Sequence, residues 1–145
     1  MEKKNDQVYV DPINLIFAKA MEVVTWIGLI FMIIFGVLYL AGLPSFVNMK
    51  VAIANWQLPV GHFWQEVKSV HIHGYHWFLG NIHLMDCLSM VGICILALAP
   101  FASLVAALSK VGGQHKAFVF LFLILIVEFV FAILKPIIMP GVGGH

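Results

Sequence analysis

The sequence predicts an all-α fold: a polytopic membrane protein with three transmembrane helices and an interfacial helical segment between the first two. Three observations carry that reading. Of the 145 residues, 62% are hydrophobic and 10% charged, whereas a soluble domain carries about 25% charged residues. Such a chain cannot clothe a water-facing surface, so the lipid bilayer is its main solvent. Three apolar runs are each long enough for a bilayer core of about 30 Å. The stretch between the first two is too polar to span, yet it spaces its apolar residues helically. A chain of this length forms one integral membrane domain over residues 1–145.

The elements follow in order. Residues 1–10 are a polar tail. Asp11-Pro12 starts a helix, with Asp as N-cap and Pro at the first helical position. From Val23 to Met49 there is no charged residue, and the membrane part is VVTWIGLIFMIIFGVLYLAGL, residues 23–43. Gly42 and Pro44 end it. Trp26 and Tyr39 stand near its two ends, where aromatic belts form. The opening MEKKNDQVYVDPIN is polar, and the run after it is too long for a signal peptide and lacks a small-residue cleavage site. The first span is therefore expected to stay in the mature protein.

Residues 44–85 form the outer loop. It holds Pro44, Pro59, Gly61 and three of the four tryptophans. Phe63, Trp64, Val67 and Val70 fall at helical spacing, which predicts a short helix lying on the membrane, its aromatics acting as interfacial anchors. The second span covers about 86–109, with a kink expected at Pro100. KVGGQHK reads as a tight turn. The third span covers about 117–134 with Glu128 inside it, and KPIIMPGVGGH reads as a tail. Cys87 and Cys94 lie two helical turns apart, about 10 Å. A disulfide needs less than about 7 Å, so both are expected to be packing residues.

Lysines set the orientation. Lys3, Lys4, Lys19, Lys110 and Lys116 share one side; Lys50, Lys68 and Lys135 share the other. Five against three puts the N-terminus in the cytoplasm, and the histidine-rich loop and C-terminus outside the cell's inner (cytoplasmic) membrane. There is no arginine, and the net charge is +1. Bidentate anion recognition and a nucleic-acid partner are therefore not expected.

The stretch VHIHGYHWFLGNIHLMD, residues 70–86, gathers four of the seven histidines. His76 and His83 are candidate haem b ligands. If the segment is helical, they share one face about 10 Å apart and cannot both be axial ligands of one iron. A haem would then be shared with another subunit. His71, His73 and His76 form a candidate zinc or copper site, with Asp86 or water as fourth ligand; the bland alternative is that these imidazoles suit the headgroup layer. Glu128 lies inside the third span, where a charge must be paired, protonated or wet. Together with Asp86 and His83 it could relay protons or hold a polar headgroup such as a quinol. Alternatively it is a protonated structural hydrogen-bond donor.

The stretches IGLIFMIIFGVLYLAGLPSFV, NWQLP, HFW and MDCLSMVGICILALAPFASLVAAL resemble a family of small bacterial and archaeal three-span membrane proteins of unknown function. Some of its members are encoded beside permeases of the sulfite-exporter type. The likeness covers roughly residues 20–135 and implies the three-span architecture but no mechanism. The histidine cluster is not part of it. The spacing His76-x-x-x-Gly80-x-x-His83-x-x-Asp86 is similar to a motif of the membrane anchors of succinate dehydrogenases. Ile82 here replaces its arginine, the aspartate comes one residue early, and the stretch precedes the span instead of lying in it.

No nucleophile–base pair, phosphate loop or complete metal motif is present, so no catalytic activity of the chain on its own is expected. The sequence reads as an accessory or anchor subunit of a larger membrane-bound electron-transfer complex handling quinol, haem or protons, in contact with other membrane subunits. It would then be a non-catalytic part of a membrane oxidoreductase. One alternative is a small transporter or permease partner that oligomerises around a path lined by Glu128. Another is a membrane metal-handling protein using the outer-loop histidines.

Overall fold

A computed structural model describes residues 10–70, 72, 74–111 and 116–139. Among them are six helices and no strand: α1 (Pro12–Leu40), α2 (Met49–Asn55), α3 (Val60–Lys68), α4 (His76–Leu79), α5 (Met85–Val111) and α6 (Lys116–Ile138). By length and composition α1, α5 and α6 can each cross a membrane. The expected all-α, three-span fold is what forms, and the segment between the first two spans carries three short helices.

Helix α1 starts where its capping residues place it. The Asp11 carboxylate accepts the Ile13 N–H at 2.8 Å, and Pro12 is the first helical residue. The helix stops at Leu40, and Gly42 adopts φ +86°, a conformation in which a side chain would clash. Its first three turns precede the apolar run. They carry an exposed ion pair, Lys19 to Glu22 at 2.9 Å.

Helices α1 and α5 form the core, and backbone proximity makes it. In lipid no hydrophobic force drives two helices together, so close packing and interhelical polar contacts must. A Cβ built on Gly92 would lie 2.7 Å from the Met32 nitrogen and 3.0 Å from the Gly28 carbonyl oxygen; one built on Gly28 would lie 2.8 Å from the Leu96 Cγ. Further along, the Ser89 hydroxyl donates to the Met32 carbonyl at 3.4 Å. As numbers rise on α1 they fall on α5, so the pair is antiparallel. Buried small residues continue the seam along α5: Cys87, Ala99, Ser103 and Ala107. Both cysteines are free; Cys87 is fully buried and Cys94 half-buried, as packing residues would be.

Helix α5 runs on through Pro100. Proline withdraws the N–H that the Leu96 carbonyl would otherwise accept. One turn later the fully buried Ser103 hydroxyl donates to the Ala99 carbonyl at 2.8 Å, so that polar side chain does not go unsatisfied in the seam.

Helix α6 packs against α5 over far less of its length than α1 does, and none of its residues is fully buried. Val119, Phe122, Ile126, Phe129 and Ile133 are half-buried. Their alternating spacing of three and four defines one face, on which the Phe129 ring sits 6.3 Å from Phe101. The sequence reading ends this span at residue 134 and makes Lys135-Pro136 part of a tail. Instead the helix continues to Ile138, and Met139 N–H donates to the Lys135 carbonyl at 2.8 Å. A proline in the last turn deletes only one ladder bond, and its neighbours carry the helix past it. The KVGGQHK turn falls largely on residues 112–115, outside the described residues.

Candidate functional site

Asp86 organises the end of the bundle where α1 stops and α5 begins. It sits in the first turn of α5, where the helix dipole favours a negative group. One carboxylate oxygen accepts the Phe46 N–H at 2.8 Å and the other accepts the Val47 N–H at 2.9 Å. The Cys87 N–H also donates to it, at 2.9 Å. Beside this clamp, the Met85 N–H donates to the Pro44 carbonyl at 3.0 Å. Residues 44–47 are thereby pinned to the mouth of α5, and Val47 is buried. Sequence reasoning grouped Asp86 with proton-handling side chains; within this chain both its oxygens are engaged by backbone amides.

The clamp places Phe46 at the centre of an aromatic group that sequence reasoning missed. The Phe46 ring lies 6.4 Å from Trp64 and 6.0 Å from Trp77, and the two indoles are 5.3 Å apart. Phe63 joins Trp64 edge-on at 5.2 Å, and the buried Phe78 joins Trp77 at 5.4 Å. The Lys68 ammonium stands 4.7 Å from the Phe46 ring centre, where the ring's negative face attracts it. Helices α3 and α4 are thus fastened by rings to Phe46, which the Asp86 clamp pins to the start of α5. The tryptophans were legible singly as interfacial residues, but nothing in the linear pattern joined them to Phe46.

The histidines ride on this platform. His76 opens α4 and is exposed; His83 lies in the turn before α5 and is exposed. The chain between them is not one helix. Helix α4 closes at Leu79, and the Gly80 N–H donates to the His76 carbonyl at 2.9 Å. A turn follows, in which the Asn81 N–H donates to the Phe78 carbonyl and its side-chain amide to the Trp77 carbonyl at 2.7 Å. His76 and His83 therefore do not share one helical face, and the exclusion of a common iron, which required one, falls. His71 and His73 lie outside the described residues, so the three-nitrogen arrangement with His76 has no geometry here. Among the described residues, no group of three or more His, Cys, Asp or Glu side chains is placed to hold a metal ion.

Glu128 is far from this platform in character. It is exposed on α6, off the face that meets α5. Among the described residues no hydrogen bond or ion pair reaches it; the Ser89 hydroxyl on α5 donates to the Met32 carbonyl. Asp86, His83 and Glu128 are linked by no hydrogen bond among the described residues.

A family model described as AF1633-like membrane protein matches residues 2–141. Two proteins of Archaeoglobus fulgidus, both carrying the name uncharacterized protein, are similar over most of the chain. One is 32% identical over 139 residues, which is 96% of this chain and 60% of the relative. The chain thus spans about three-fifths of that relative's length. The second is 28% identical over 127 residues, covering 88% of this chain and 91% of the relative. No solved structure matches.

Proposed function

Since the chain belongs to the AF1633-like membrane protein family, we propose that it serves as an accessory or anchor subunit of a larger membrane-bound electron-transfer complex. We place its N-terminus in the cytoplasm, and its aromatic platform and C-terminus outside. The membrane character is shared with the family. The finer reading rests on one observation: His76 and His83 are held exposed on a platform that the Asp86 clamp and the ring contacts fix to the mouth of α5. Ordering such a platform costs conformational entropy, and an exposed imidazole upon it is available to something outside the chain.

The residues suit one half of a haem b site. A neutral imidazole nitrogen of His76 or His83 can ligate iron from one side. A residue of another subunit would complete the site, and the haem would supply one-electron chemistry when bound. What this chain contributes is position: α4, the Asn81 turn and the Trp77 contacts hold the imidazoles at the end of the bundle. An absorption spectrum of the native assembly, extracted with its partners, tests this. A Soret band is expected, weakened in His76→Ala or His83→Ala while the complex stays assembled. A native assembly without haem absorption would overturn the reading.

A second reading, as a transport protein or permease partner, is favoured by Glu128 alone. A carboxyl on the exposed face of a spanning helix could line a path formed with another chain. There Glu128→Gln should assemble normally and abolish turnover, because an amide cannot titrate.

A further inference from the structure

Helix α6 has two faces with the same periodicity, and only one is used. The half-buried face meets α5. The other, also spaced four and three, comprises Ala117, Leu121, Ile124, Glu128, Phe131 and Lys135, all of them exposed. Alternation of this kind is what a helix presents when it winds closely along a partner. An apolar face alone would be content in lipid. Glu128 is not: apart from Asp86 at the mouth of the second, it is the single charged residue within the spans 23–43, 86–109 and 117–134, and it has no partner among the described residues. It lies seven residues, about 10 Å, before Lys135 along the helix.

We infer that α6 pairs through this free face with α6 of a second copy of the chain, the two Glu128 carboxyl groups hydrogen-bonding to each other across a twofold axis. Depth and complementarity select a second copy. Copies inserted in the same orientation hold Glu128 at one depth, and an isologous interface brings residues near the axis against themselves. A protonated carboxyl has one donor and one strong acceptor, so two of them satisfy each other with no other group. No charge is then left in hydrocarbon. A different partner would need a cation or polar group of its own at the same depth, whereas a second copy brings one with it. Lys135, in the last turn, can keep its ammonium at the water boundary. The inference is independent of the haem reading.

The test uses the protein in lipid bilayers, with Cys87 and Cys94 both replaced by alanine. Single cysteines at Leu121 and Ile124 should form oxidised dimers, whereas one at Leu123, exposed on another face, should not. Glu128→Leu should weaken self-association by about 3- to 30-fold, the range an interhelical hydrogen bond contributes in membranes. Glu128→Gln should largely restore it, because an amide also donates and accepts. A monomeric wild-type protein, equal crosslinking at Leu123, or Glu128→Leu dimerising as tightly as wild type would each overturn the inference. So would crosslinking of Leu121→Cys to a different protein only.

Discussion

Substituting Gly92 by alanine probes what holds the α1–α5 pair together. The added methyl would lie 2.7 Å from the Met32 nitrogen, and 3.0 Å from both the Met32 Cα and the Gly28 carbonyl oxygen. All three are backbone atoms, so no side chain can rotate away. Ordinary contact begins near 3.4 Å, so the helices must separate by about 0.7 Å, a gap that forfeits a quarter to a half of each affected dispersion contact. Overpacking of this kind costs about 1–3 kcal/mol. The higher helix propensity of alanine, up to about 1 kcal/mol, offsets part of it. A net loss of about 1–2 kcal/mol is expected, read as reversible unfolding in mixed micelles. Gly28→Ala should lose less, since its closest obstacle is the Leu96 side chain. Gly61→Ala, in α3 with nothing within 4 Å, should be neutral to slightly stabilising. A Gly92→Ala protein as stable as wild type, or a Gly61→Ala protein more damaged than it, would refute backbone proximity as the basis of the pair.

Three further outcomes are expected. Asp86→Asn keeps one acceptor oxygen and turns an NH2 toward a backbone N–H; it should cost about 1–3 kcal/mol and speed hydrogen exchange at the Phe46 and Val47 amides, and unchanged exchange there would refute the clamp. Trp77→Ala removes ring contacts to Phe46, Trp64 and Phe78, each worth about 0.5–1.5 kcal/mol; near-ultraviolet circular dichroism should lose intensity while helix content holds, and an unaltered spectrum would contradict the aromatic platform. A cysteine replacing the exposed Gln57 should react with a membrane-impermeant maleimide on intact cells; labelling only after lysis would reverse the proposed orientation.

The spans were legible because charge-free runs and caps are local signals. Asp11-Pro12 and Gly42 mark the ends of α1 in the sequence as in the structure. The end of α6 was misplaced because Lys135-Pro136 resembles a stop, although a proline in a last turn removes only one hydrogen bond. Helix α2 went unread: at seven residues it is too short to show a period. At the candidate site, residue types were visible and relations were not. Asp86 answers to backbone amides 39 and 40 positions away, and amides leave no trace in a side-chain pattern. Gly28 and Gly92 each look ordinary within their own helix, and become a contact only once the register of α1 on α5 is known. The break between His76 and His83 hinges on Gly80 and the Asn81 amide, whose bonds interrupt a stretch that spacing alone allows to be continuous.

The Asp86 clamp also fixes an order of events during synthesis. The amides of Phe46 and Val47 leave the ribosome about 40 residues before the carboxylate that receives them. At about 5–20 residues per second that is a delay of roughly 2–8 s. Until α5 begins to emerge, the segment after α1 has no anchor, and the rings of Trp64 and Trp77 have no Phe46 fixed in place to close upon. The stretch between the first two spans therefore stays unfinished until α5 emerges, its closure timed by the arrival of a single aspartate.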